Sequence, residues 1–164
     1  GEWKGVSIHH AGWMVAAFEI SGIVGMLVAG WATDRFFGGR GPRVCVICMA
    51  LATVFVALFW GISQPPMWLA TLLLGAAGFC IYGPQALVGI AAANIATKKA
   101  AATAVGFTGL FGYASTLVSG WGLGLLAQHY GWNIAVGALI LIAIMGTLIF
   151  MAAWSAKANG YDND

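Results

Sequence analysis

Three polar side chains could do chemistry because each lies inside a long apolar stretch: Glu19, Tyr113 and, more weakly, Gln85. A carboxylate within a membrane costs about 2.5–3.5 kcal/mol on insertion scales, so Glu19 should be paired or in contact with water. A buried tyrosine hydroxyl also needs a partner. We expect all three to face a central cavity. The alternatives are that Glu19 pairs with a cation elsewhere in the bundle and that Tyr113 is a core tyrosine bonded to a neighbouring helix.

Metal and redox chemistry are disfavoured, although Cys45 and Cys48 form a C-x-x-C pair. The pair lies in an apolar stretch with no second pair and no nearby histidine, so we interpret it, with Cys80, as small packing residues. The chain shows no metal-ligand cluster, nucleophile–base pair or carboxylate pair. We therefore expect no metal site, no cofactor and no enzymatic activity.

The elements that must position these residues are five apolar stretches almost free of charge. They cover 11–33, 44–62, 67–93, 100–126 and 134–154. Each reaches or approaches the roughly 20 residues that a helix needs to cross about 30 Å of hydrocarbon. With 61% hydrophobic and 7% charged residues, the chain is typical of a polytopic protein of the lipid bilayer. The fold class is therefore predicted to be an all-α membrane protein of five transmembrane helices.

The basic residues predict the orientation of these helices. Six of the seven lie on one side, in the first and third connections and the C-terminal tail: Arg35, Arg40, Arg43, Lys98, Lys99 and Lys157. Only Lys4 lies on the other side. The positive-inside rule then places the N-terminus outside and the C-terminus in the cytoplasm. The net charge of +2 and the lack of a continuous basic patch argue against a nucleic-acid partner.

The first connection carries a pattern beyond a basic loop, in which a small residue precedes an Asp-Arg pair and further arginines follow across a glycine turn. Asp34 could pair with an arginine or cap a helix, and Gly30 could permit close helix approach. We interpret these residues as a cytoplasmic latch: Gly30, Asp34, Arg35, Arg40 and Arg43. The alternative is a plain positive-inside loop.

Two further runs concern helix shape. Gly83-Pro84 inside the third stretch should free an upstream carbonyl and kink that helix. Gly106, Gly109 and Gly112 recur every third residue and predict a smooth stripe against which another helix packs.

Three runs in this order resemble the organophosphate:phosphate antiporter family of the major facilitator superfamily. They are Phe18-Glu19 followed by Gly22 and Gly25, then Tyr82-Gly83-Pro84-Gln85, then the segment from Lys98 through the glycine stripe to Tyr113. The resemblance covers the whole chain and implies helices eight to twelve of twelve. Because the chain opens on Gly1 without a leader, we expect it to be a C-terminal half fragment whose N-terminal helices are missing.

The resemblance implies a secondary transporter in the inner (plasma) membrane that exchanges a sugar phosphate or glycerol phosphate for inorganic phosphate by alternating access. The family grips phosphate with arginines of its first and seventh helices, which this chain lacks, and places a tyrosine near the substrate at the position of Tyr113. The alternatives are a transporter-like receptor that senses external hexose phosphate with a membrane sensor kinase, or another major facilitator antiporter.

Overall fold

The computed structural model describes residues 8–96 and 99–155 and confirms the predicted all-helical membrane fold. Its helices are α1 (Ile8–Phe37), α2 (Gly41–Gly61), α3 (Met67–Ile95), α4 (Ala101–Tyr130) and α5 (Trp132–Ala152). All five are long and apolar enough to cross a membrane. Lys4, Lys98 and Lys157 lie outside the described residues.

At the first and fourth connections the helices run past the ends of the apolar stretches, so these two connections are shorter than expected. The first link is only residues 38–40, because α1 continues through Asp34 and Arg35. Gly38 and Gly39 have φ values of +56° and +77°, and the Gly39 N–H donates to the Thr33 carbonyl at 3.1 Å. This is a glycine-terminated helix end of the Schellman type. Gly131, with φ +85°, alone links α4 to α5. Apolarity marks the hydrocarbon boundary, whereas the helix ends at the first residue that must leave helical geometry.

Helix α3 is the centre of the bundle. It packs against α1, α2 and α4, while α2 also packs against α5. It contains nine buried residues, whereas α4 contains none among those described. The helix continues without interruption through Pro84, which has no N–H to donate to the carbonyl of Cys80. Helices α4 and α5 also pack against each other, whereas α1 contacts neither of them and is joined to them through α3 and α2.

Reciprocal glycines bring α1 and α3 into backbone contact. A Cβ on Gly25 would collide with the carbonyl of Phe79, and a Cβ on Gly78 would collide with the carbonyl of Phe18. Small residues allow this approach in membrane helices, where packing rather than hydrophobic exclusion holds helices together. Helix α3 therefore covers Gly22 and Gly25.

A second small-residue contact joins α3 to α1 and α2. A Cβ on Gly83 would lie 2.9 Å from the Ala29 Cβ and 3.4 Å from the Cys48 Sγ. Next to it, Val44, Cys45 and Leu87 form a buried cluster with Ala29. Cys45 and Cys80 are buried free thiols within this packing.

The stripe of α4 has no such contact within the described residues. At Gly106, Gly109 and Gly112 an added Cβ would meet nothing within 4 Å. The helix that this stripe was expected to pack against is therefore not one of the five.

We predict that Gly25→Ala destabilises the protein by about 1–3 kcal/mol, the usual cost of an extra methyl group in a tight packing contact. Gly12→Ala is the matched control on the same helix, because its Cβ would meet nothing within 4 Å. Alanine there should be neutral or stabilising through its higher helix propensity. Thermal unfolding in detergent measures both. Equal stability of the two variants would contradict the backbone contact.

Candidate transport site

A cavity of about 580 Å³ lies between α3 and α4. Met49 of α2 and Phe150 of α5 form part of its wall. Its polar lining comes from α3 and α4: Gln85, Thr108, Tyr113, Ser115 and Thr116. Pro84, Gly109 and Gly112 also line it, so the absence of bulky side chains on the glycine stripe helps to create the space. No lysine or arginine is among its lining residues in the described chain.

Gln85 and Tyr113 both line this cavity. Both are exposed, Tyr113 to 80%, and neither makes a side-chain hydrogen bond within residues 8–96 and 99–155. Tyr113 therefore does not serve as a core tyrosine within this chain. A phenol and an amide in this state are available to bind a solute.

The serine and threonine hydroxyls of α4 that line the cavity are already used as donors within their own helix. Thr108 donates to the Val105 carbonyl at 2.9 Å, and Ser115 and Thr116 donate to that of Gly112 at 2.7 and 3.0 Å. Their oxygens can still accept hydrogen bonds from a solute. The sequence analysis did not identify these three residues as hydrogen-bond acceptors, because serine and threonine are common in apolar helices. Their spacing along α4 could have indicated that they line the same cavity.

Glu19 does not line the cavity but lies across α3 from it, on α1. Its carboxylate accepts a hydrogen bond from the hydroxyl of Tyr82. The Tyr82 ring lies over Gly22, where a Cβ would come within 2.6 Å of its Cδ2, and meets Phe18 edge-on with centroids 6.0 Å apart. The described partner of Glu19 is thus a phenol rather than the cation considered as an alternative.

Tyr82 is the functional candidate that the sequence analysis missed. Tyr82 contacts Glu19 and lies one turn from the cavity residue Gln85 on α3. At 1.5 Å per residue, Glu19, Tyr82 and Tyr113 lie about 16, 22 and 18 Å from the first residues of their helices, which are about 45 Å long. The polar groups therefore form a band near the middle of the bundle.

The expected latch residues lie at the ends of α1 and α2. Asp34 and Arg35 are exposed in the last turns of α1, Arg40 precedes α2, and Arg43 lies in the first turn of α2. The Arg43 Nε donates to the Trp154 carbonyl at 3.4 Å, and its guanidinium carbon is 5.4 Å from the Trp154 ring centroid. Arg43 therefore ties the start of α2 to the end of α5.

The close helix approach expected at Gly30 is not made within the described residues, where its Cβ would meet nothing within 4 Å. Neighbouring Ala29 is buried and contacts α3 through Gly83 instead. A one-residue step turns the helix face by about 100°, so Gly30 points away from that contact.

Comparison with known proteins supports a membrane transport family. The family model of the Major Facilitator Superfamily matches residues 4–160. A probable hexose phosphate transport protein of Chlamydia muridarum is 40% identical over 158 residues, which cover 95% of this chain and 34% of that protein. A glycerol-3-phosphate transporter of Haemophilus influenzae is 33% identical, covering 96% of this chain and 37% of that protein.

A membrane sensor protein of Salmonella typhimurium is also similar, at 32% identity over 96% of this chain and 36% of its own length. The chain thus spans about a third of the length of the curated relatives it matches. Transporters and a sensor both match nearly all of it.

We predict that Ser115→Cys, on the cavity wall, reacts with a charged thiol reagent in the membrane-embedded protein, because thiolates form in water. Leu148→Cys, exposed on α5 at a similar distance from the α4–α5 link, should not react, since that side chain faces hydrocarbon. Both are made after replacement of Cys45, Cys48 and Cys80 by alanine. Equal reactivity of the two positions would show that the cavity is not water-filled.

Proposed function

Because the chain belongs to the major facilitator superfamily, we propose that it is part of a secondary transporter for a sugar phosphate or glycerol phosphate. The protein would exchange this solute for inorganic phosphate by alternating access. The observation that carries the proposal is the mid-depth cavity in which Gln85 and Tyr113 have free polar groups. The transporters among the relatives support the solute class.

In this proposal the chain supplies the part of the site that binds the neutral end of the solute. Gln85 and Tyr113 can donate to sugar or glycerol oxygens, and the α4 hydroxyls can accept from its hydroxyl groups. A phosphate carries one to two negative charges and needs cations in a membrane interior. Since the cavity walls contribute none, we propose that arginines of upstream helices bind the phosphate, as the family resemblance implies.

The upstream helices would also cover the open surface of α4. Residues 111–120 of α4 are all exposed. Alternating access requires two repeats that rock around a shared site. This chain alone should therefore neither transport nor bind the solute tightly.

Glu19 and Tyr82 would set the position of α1 beside this site. A carboxylate near a phosphate is repulsive unless its charge is offset, so the phenol bond to Glu19 both stabilises the acid and leaves its second oxygen for a cation. We propose that this cation belongs to the upstream helices. The latch residues Asp34, Arg35, Arg40 and Arg43 would limit movement of the α1–α2 end.

We predict that Tyr113→Phe lowers exchange of the organophosphate for inorganic phosphate about 2- to 10-fold in proteoliposomes of the complete protein. This corresponds to the loss of about 0.5–1.5 kcal/mol for a hydrogen bond to a neutral sugar or glycerol oxygen. Glu19→Gln should also lower exchange, whereas Tyr130→Phe, exposed at the end of α4, is the matched control.

Tyr113→Phe and Glu19→Gln should both insert into the membrane at normal levels. Normal exchange by Tyr113→Phe would show that Tyr113 does not contribute to the solute-binding site. If the unaltered protein binds hexose phosphate but exchanges no labelled phosphate, the sensor function replaces the transporter.

We propose an inner-membrane location with the N-terminal end of α1 outside, because the basic residues cluster at the opposite end. In intact cells, Gln64→Cys in the α2–α3 link should react with an impermeant thiol reagent, and Ala100→Cys before α4 should react only after permeabilisation. Both positions are exposed, and neither change removes a charge. The reverse pattern would invert the topology.

A further inference from the structure

A second cavity, unrelated to the polar band, lies in a groove that α1 and α2 form over α3. It has a volume of about 500 Å³. Its walls are Ala17 and Ser21 of α1 and Leu51 and Phe55 of α2, and its floor runs along α3 from Thr71 to Cys80. The three-residue link holds α1 and α2 together at one end, yet they make few contacts with each other along their length. They therefore diverge from the link, and α3 is exposed between them.

The groove offers a solute almost no polar group. The Thr71 hydroxyl donates to the Met67 carbonyl at 2.9 Å, so its proton is already used. Ser21 sits over the glycine floor, with its Oγ 3.2 Å from where a Cβ of Gly75 would lie. The remaining walls are aliphatic, aromatic or thiol groups. Such a surface binds hydrocarbon rather than an ion or a sugar.

The depth of the groove matches one leaflet of a bilayer. At 1.5 Å per residue, Thr71 and Cys80 lie about 6 and 20 Å from the start of α3. This range of about 14 Å is close to half of the 30 Å hydrocarbon thickness. Leu72, 56% exposed, and Leu51, 44% exposed, form an open rim through which the groove meets the surrounding lipid.

The size of the groove favours an occupant thinner than a helix. Three turns of a helix, about 10 Å wide and 16 Å long, fill roughly 1,300 Å³. A dry apolar cavity of about 150 Å³ accommodates one benzene molecule, so 500 Å³ suits a longer, thinner hydrocarbon. We propose that this groove binds the acyl chain of a membrane phospholipid from the leaflet opposite the α1–α2 link.

Photolabelling of the purified protein tests the proposal. The protein is kept in detergent with a few equivalents of a phospholipid that carries a diazirine in mid-chain. Label should concentrate on the α2 and α3 segments around Leu51, Phe55 and Leu72, rather than on the exposed face of α5. Label distributed evenly over all exposed helix faces would overturn the proposal, as would a crosslink showing another protein segment in the groove.

Ala76→Leu, on the groove floor, should reduce groove labelling at least about tenfold, because the larger side chain displaces roughly two methylene groups of the acyl chain from the groove. Ala50→Leu adds the same atoms to an exposed position outside the groove and should leave labelling unchanged. If Ala76→Leu fails to fold, the labelling pattern of the unaltered protein tests the proposal without it. Unchanged labelling of a folded Ala76→Leu protein would overturn the proposal.

Discussion

The backbone contact between α1 and α3 is the constraint on which the rest of the structure depends. Gly25 faces the Phe79 carbonyl and Gly78 faces the Phe18 carbonyl, so the two helices lie as close as their backbones allow. One turn away, the same proximity sets the Tyr82 ring over Gly22 and its hydroxyl on Glu19. A methyl group at the crossing would separate the helices and break that bond. The packing of small residues therefore positions the one acid within the apolar stretches.

The same constraint explains why α4 differs from α1. Both helices carry glycines three residues apart, yet only those of α1 have a partner among the described helices. In α1 the open side of the glycines is filled by α3, whereas in α4 it forms the wall of the cavity that Gln85 and Tyr113 share. A glycine stripe thus has two uses, close packing or open space, and the neighbouring helix decides which one applies.

The sequence predicted the number and class of the helices because membrane spans depend on local apolarity, which composition measures directly. It placed the helix ends less well, since helices such as α1 continue through Asp34 and Arg35 beyond the apolar region. It grouped Gln85 with Tyr113 but overlooked Tyr82, whose aromatic ring resembles an ordinary apolar residue. The covered state of Gly22 and Gly25 could not be predicted, because spacing identifies a packing face without identifying its partner.

Under the proposed function, the charge distribution limits the part that this chain can play. Its central cavity contains amide, phenol and hydroxyl groups, and the nearby acid already accepts a phenol hydrogen bond. Neutral groups can distinguish the hydroxyl pattern of a solute, but they cannot offset a phosphate charge in a region of low dielectric constant. Discrimination among organophosphates would therefore reside in α3 and α4, and the affinity for phosphate itself in cations outside the chain. Under this division, a change at Gln85 or Thr116 would alter which phosphorylated solute is exchanged while leaving the binding of inorganic phosphate intact.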